Sequence, residues 1–316
     1  MSSPIEMSQN DLQQAAPEPS KISPSSPASA DTTGQKSTRP LWSLADVPYG
    51  AIDPQKIVAD TDWFYLLAGA SFVEILSDLY TRNLVSYYAD DEEAVAWLET
   101  EWQPEEMQHG RALRQYVETV WPDFDWERAF AGFRQDYTPY CRTELLGPSR
   151  ALEMAERCVV ETGTSSFYAM IQAASPEPVL AQLASRIRND EVHHYKYSTG
   201  FFCHYQKQEN NSRWQIGRQL WRRMTEVDQE DTYLAIKNVF QARSPGVPFT
   251  HDDFGQFRRR MNVWVQRYYP FDMALKMLLK PMDLPTTLQK AALPFLTRGA
   301  RRLTIAPYHD STYGKK

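Results

Sequence analysis

Three cysteines in 316 residues, Cys141, Cys158 and Cys203, are too few and too scattered for a disulfide framework. They form no Cys-x-x-Cys pair, which argues against a thiolate metal site and for a reducing, cytoplasmic setting. Glycine is sparse as well, at 13 residues, and the chain has no Asn-Gly hairpin turn set between alternating apolar and polar residues. Both absences point away from a β fold. Long apolar runs are missing: the best candidate, Trp63 to Leu76, falls short of the roughly eighteen residues a membrane span needs and contains Glu74. Positive charge is not in excess, and a net charge of −6 speaks against a general nucleic-acid binder. Residues 1–40 have almost no large apolar side chains and are crowded with Ser, Pro, Thr and Gln. Such a segment cannot bury enough surface to offset its ordering entropy, so a disordered tail is expected there. It has neither the apolar core of a signal peptide nor the basic character of a transit peptide.

What is present reads as helix almost throughout residues 41–316, and one large domain is expected. Apolar periodicity predicts long helices near 57–88, 104–120, 149–174, 177–207, 211–242, 252–279 and 285–301, with shorter ones at 91–101 and 124–134. Pro104 and Pro148 suit the first turns of their helices, where the missing N–H costs nothing. The segment Ser244-Pro245-Gly246-Val247-Pro248 marks a break. The expected fold class is all-α, with a core at about 57–207 and accessory helices at about 211–302.

Within that core two Glu-x-x-His motifs stand out, Glu106-Met107-Gln108-His109 and Glu191-Val192-His193-His194. Residues three apart share a helix face, so each motif aims a carboxylate and an imidazole at one point. Each motif is preceded by a glutamate in an apolar stretch, Glu74 and Glu161. Glu161 lies on the stripe Ala151, Met154, Cys158, Ser165, Tyr168, and Glu74 on the stripe Leu67, Ala70, Ser77. An inward carboxylate needs a partner or takes up a proton. Two lone-Glu helices alternating with two Glu-x-x-His helices form the ligand set of a ferritin-like four-helix bundle with a dinuclear metal site. The spacings 74 to 106 and 161 to 191 suit adjacent antiparallel helices, and 106 to 161 leaves room for a crossover.

The register inside each motif stays open. Glu105 precedes Glu106 and Asp190 precedes Glu191, so Glu105–His109, Asp190–His194 and Asp190–His193 pairs are also available. Only the repetition of Glu-x-x-His favours Glu106 and Glu191 as ligands, with Asp190 orienting an imidazole from behind. Four carboxylates and two imidazoles without a thiolate suit two iron ions (Fe2+/Fe3+), with manganese the other candidate.

Glu105-Glu106-Met107-Gln108-His109 and Asp190-Glu191-Val192-His193-His194 resemble the EE-x-x-H and DE-x-x-H motifs of soluble acyl-carrier-protein desaturases. Trp97 to Gly110 resembles that family's tryptophan-rich approach to its first motif, and Leu67 to Glu74 the helix bearing its first glutamate. Glu161-Thr162-Gly163-Thr164 resembles its E-x-x-T. The resemblance covers roughly residues 40–205, and it departs where Gln108 and His193 replace a basic residue before each motif histidine. It implies that Glu106 and Glu191 bridge two irons, that Glu74 and Glu161 bind terminally, and that His109 and His194 complete one iron each. It further implies that Thr164 helps deliver protons to reduced oxygen. The bland alternative for Thr164 is a hydroxyl bonded back to its own helix. Trp42 would correspond to a tryptophan that passes electrons toward the metals through Asp190. The implied protein is a homodimer that uses O2 and a ferredoxin-like electron donor on an acyl chain carried by acyl carrier protein.

Other reactions remain open at the same site: hydroxylation, N-oxygenation or, in a different class, iron storage. A carrier protein is acidic, so its docking surface should be basic. Arg213, Arg218, Arg222 and Arg223 are one candidate cluster; Arg258 to Arg260 and Arg298, Arg301, Arg302 are others.

Overall fold

In the computed structural model, residues 41–303 are described, except 143, 145 and 227–229. The tail expected at 1–40 lies outside them. The protein is all-α, with no strand among the described residues. Its helices are α1 Thr61–Ile75, α2 Ser77–Tyr87, α3 Glu92–Trp97, α4 Gln103–Val120, α5 Trp126–Tyr137, α6 Arg150–Ala174 and α7 Pro178–Glu209. The accessory helices are α8 Arg213–Glu226, α9 Glu230–Arg243, α10 His251–Tyr268, α11 Phe271–Leu279 and α12 Thr286–Leu303. None is long and apolar enough to cross a membrane.

Two antiparallel pairs build the core, α1 with α4 and α6 with α7. At one end of the first pair the Trp121 indole N–H, just past α4, bonds the carbonyl of Val58, just before α1, at 3.1 Å. In the second pair the Glu209 carboxylate at the end of α7 accepts the Ala151 N–H at the start of α6, at 3.1 Å. Glu177 caps α7: its fully buried carboxylate accepts the Leu180 N–H at 2.8 Å and the Tyr116 phenol of α4 at 3.0 Å. One apolar cluster fills the space around Phe64, Phe72, Tyr116, Phe133 and Leu183, and a second surrounds Tyr88, Trp97, Met154 and Phe201.

Several boundaries differ from the sequence pattern. The stretch expected as one helix over 57–88 begins at Thr61, where Asp60 caps it, and breaks at Leu76. Beside that break α4 presses on α1: a Cβ on Gly110 would sit 2.7 Å from the Ile75 backbone N and 3.0 Å from Glu74 Cβ. The helix over 252–279 divides at Pro270, because a proline drives the residue before it, Tyr269, into an extended conformation (φ −70°, ψ 132°). The stretch 211–242 is described as α8 and α9 on either side of 227–229. Pro148 precedes Ser149, the N-cap of α6, instead of occupying the first turn. Pro104 does lie in the first turn of α4. Between α3 and α4 the chain does not leave the helix: a π turn, Leu98–Trp102, joins them and swings Leu98 and Trp102 inward.

Candidate metal centre

Glu74 is delivered by the last turn of α1, Glu106 and His109 by the first turns of α4, Glu161 by the middle of α6, and Glu191 and His194 by the middle of α7. All six are buried. They form two overlapping groups, Glu74–Glu106–His109–Glu191 and Glu106–Glu161–Glu191–His194, whose donor atoms lie within 4.8 Å of one another. Glu106 and Glu191 belong to both. These buried clusters could hold metal ions.

The two halves are built alike. His109 turns Nε2 to Asp190 Oδ2 at 3.0 Å and Nδ1 toward Glu191 Oε1 at 3.1 Å and Glu74 Oε2 at 3.8 Å. His194 turns Nε2 to Glu105 Oε2 at 2.9 Å and Nδ1 toward Glu106 Oε1 at 3.1 Å and Glu161 Oε2 at 3.7 Å. The contacts of these two acids run across the bundle, Asp190 to His109 and Glu105 to His194. Each acid that precedes a motif glutamate holds the imidazole of the opposite motif helix. The outer oxygens of the lone glutamates are occupied too. Tyr168 donates its phenol to Glu74 Oε1, and Trp102 donates its indole N–H to Glu161 Oε1 at 3.2 Å.

Sequence reasoning missed both aromatic donors, although each had left a signal. Tyr168 stands on the inward stripe of Glu161, and Trp102 stands in the tryptophan-rich run before the first motif. Thr164 bonds back to its own helix and also reaches the cluster. Its hydroxyl lies 2.7 Å from Glu191 Oε2 and 3.2 Å from the Val160 carbonyl of its own helix. Trp42 donates its indole N–H to Asp190 at 2.6 Å, which completes a continuous line Trp42–Asp190–His109. Gln108, one of the departures from the desaturase pattern, bonds the Trp42 carbonyl at 3.0 Å and fastens that segment to α4. His193, the other, sets its ring edge-on against Tyr197 at 4.9 Å.

No protein-family model matches the chain, and no curated protein matches it. The donor chemistry therefore carries the argument. With Nε2–H of each imidazole committed to an acid, Nδ1 presents a lone pair to carboxylate oxygens. Nδ1 of His109, Nδ1 of His194 and Glu191 Oε1 are all buried without a hydrogen bond. Lone pairs that face each other at 3.1 Å need a proton or a cation between them.

Without a cation, protons fill that role. Burial, reinforced by Glu191 and Glu74, raises the Glu106 carboxyl well above its usual 4.5. Burial raises Glu161 to about 7 against the opposing pull of His194. Burial alone would lower the imidazoles, but the surrounding carboxylates outweigh it and raise both His109 and His194 well above 6.5. The same imidazoles overcome the burial of Glu191 and lower its carboxyl. Displaceable protons, an all-oxygen-and-imidazole donor set and two shared carboxylates together fit a pair of divalent cations.

Proposed function

We propose that this chain is a non-haem di-iron, O2-dependent oxidoreductase that desaturates an acyl chain tethered to acyl carrier protein. The observation that carries the reading is the overlap of two buried donor groups through Glu106 and Glu191, each completed by one imidazole held from behind by an acid. Manganese satisfies the same donors, but iron suits oxygen chemistry. Glu74, Glu106, His109, Glu161, Glu191 and His194 would hold a ferrous pair, which would supply two electrons for the reduction of dioxygen.

The remaining roles belong to the chain's own residues. Asp190 and Glu105 hold His109 and His194 at Nε2, so that Nδ1 of each would be the atom left to hold an ion. Tyr168 and Trp102 each occupy one oxygen of a terminal carboxylate, which leaves Oε2 of Glu74 and of Glu161 toward the centre. Thr164 holds a proton at Glu191 Oε2, where proton delivery to reduced oxygen would start. Trp42, almost buried at 9% exposure, begins a hydrogen-bonded line to His109 by which electrons from a ferredoxin-like donor would arrive. Arg186 stacks over Trp42 at 5.9 Å and gives that surface a positive charge for an acidic donor.

For the acidic carrier, the α8 cluster is narrower than its four arginines imply. Arg222 is tied to the buried Glu156, and Arg223 is half-buried near Tyr80 and Asp231. Arg218 remains exposed between Trp214 and Trp221, which are 71% and 65% exposed. Arg218→Glu is expected to raise KM for a carrier-bound substrate several-fold while kcat holds, because rim charges act on encounter.

The test is mass spectrometry of saturated acyl carrier proteins incubated with iron-loaded protein, ferredoxin, its reductase and air. Loss of two hydrogens from the acyl chain is the expected result. Gain of one oxygen would instead indicate hydroxylation, and an unchanged chain with tens of irons per protein would indicate storage. Glu106→Ala and Glu191→Ala should abolish the reaction together with iron binding.

A further inference from the structure

The chain is acidic as a whole, with a net charge of −6, yet its last described helix is not. α12 carries Lys290, Arg298, Arg301 and Arg302 and no acid between Thr286 and Leu303. All four cations are exposed. So are three apolar side chains of the same helix, Phe295 at 71%, Leu288 at 51% and Leu296 at 41%. A helix that only covers the protein's own core turns such residues inward. α12 rests on α11 by its other face, where Thr297 bonds Asp272 Oδ1 at 2.7 Å and the Arg301 guanidinium lies 5.2 Å over the Phe271 ring. No residue from 286 to 302 is fully buried.

The exposed residues are ordered around the helix. Leu288 and Phe295 stand two turns apart on one stripe, Arg298 and Arg302 lie beside it, and Lys290 and Arg301 lie farther round on the same side. On and just past α11, exposed Lys276 and Lys280 add to this charge, and they outnumber Asp272. An apolar stripe bordered by cations matches the two layers of an anionic lipid surface. The apolar side chains enter the acyl region, while cations on flexible stems reach the headgroup phosphates. A nucleic acid would meet the cations but leave the leucines unmatched. A second copy set about a two-fold axis through α12 would place these cations against the same cations. The helix is not long and apolar enough to cross a bilayer, so its place is along the surface.

We propose that α12 is a membrane-docking helix that seats the protein on an anionic phospholipid surface. Phe295 and Leu288 provide the insertion, and Arg298 and Arg302 provide the selectivity for negative headgroups. The proposal does not depend on the reaction carried out at the metal centre.

The probe is a pair of vesicle preparations, phosphatidylcholine alone and phosphatidylcholine with an equal part of phosphatidylglycerol, each mixed with the full chain and pelleted. The protein should pellet with the mixed vesicles and stay in solution with phosphatidylcholine alone, and added salt should weaken the binding. Arg298→Glu combined with Arg302→Glu should weaken it at least about tenfold, because each cation near an anionic surface contributes about fivefold. Phe295→Ser should weaken it about tenfold, whereas Phe295→Trp should bind at least as well as wild type, since tryptophan favours the interface. Unchanged helical circular dichroism and iron stoichiometry in these variants separate lost docking from lost folding. No binding by wild type, equal binding to both preparations, or full binding by Phe295→Ser or by the charge-reversed variant would each overturn the proposal. So would a wild-type dimer that Phe295→Ser converts to monomer, since the stripe would then be a subunit contact. Loss of acyl-carrier-protein binding in the charge-reversed variant would mean that α12 docks a protein, and would overturn the lipid assignment.

Discussion

The Glu161 carboxyl, raised by burial from its usual 4.5 to about 7, is half-protonated near neutrality in the cation-free protein. Its contribution to folding is complete below pH 4.5, where folded and unfolded chains both hold the proton, and is lost as pH rises through 7. A rise of this size corresponds to about 3 kcal/mol. Glu106, His109 and His194 are raised as well and act in the same direction, whereas Glu191 is lowered and acts in the opposite one, at acid pH. Cation-free protein should therefore melt at lower temperature at about pH 8.5 than at about pH 6.5. Divalent cations replace the protons, so the gap in melting temperature between loaded and cation-free protein should widen over the same interval. A gap that stays constant with pH would mean that these carboxyls are not the ligands. At this scale the six clustered residues were legible because Glu-x-x-His fixes a face for four of them and an inward apolar stripe places Glu74 and Glu161. The pairing of Asp190 with His109 and of Glu105 with His194 was not, because it depends on how two helices are rotated against each other.

Among the elements, two helical glycines make opposite predictions. Gly110 follows His109 directly and lets α4 approach α1 where Glu74 leaves it; Gly163 opens onto free space. Gly110→Ala must push Ile75 away and should cost roughly 1–3 kcal/mol. By moving Glu74 off His109 it should also reduce cation loading. Gly163→Ala should stabilise by up to about 1 kcal/mol and leave loading unchanged. Denaturant melts and metal analysis of the two variants check both signs. The break at Leu76 escaped the sequence because the apolar pattern runs on through it, and only the contact with Gly110 marks the place. The break at Pro270 was legible, and apolar periodicity on both sides obscured it. The π turn before α4 has no sequence signature of its own, although the inward tryptophan it creates had been noted in the run that contains it.

For the whole molecule, two antiparallel pairs bring four glutamates and two histidines to one level of the bundle, with Glu106 and Glu191 shared between the halves. The all-α class and the helices that carry the site followed from helical periodicity and from the scarcity of glycine and strand patterning. Which surface residues face outward did not. Arg222 and Arg223 belong to the same basic run as Arg218, yet the phase of α8 turns Arg222 toward Glu156 on α6. Helical phase at an exposed helix depends on what it packs against, and the run of arginines does not encode that. The central claim, that the shared carboxylates hold two cations, is tested most directly by anaerobic titration with ferrous iron. Wild type is predicted to bind about two ions per chain, with Glu106→Ala and Glu191→Ala each losing both because each removes a ligand common to the two sites. Binding of a single ion, or two ions retained in either variant, would contradict it.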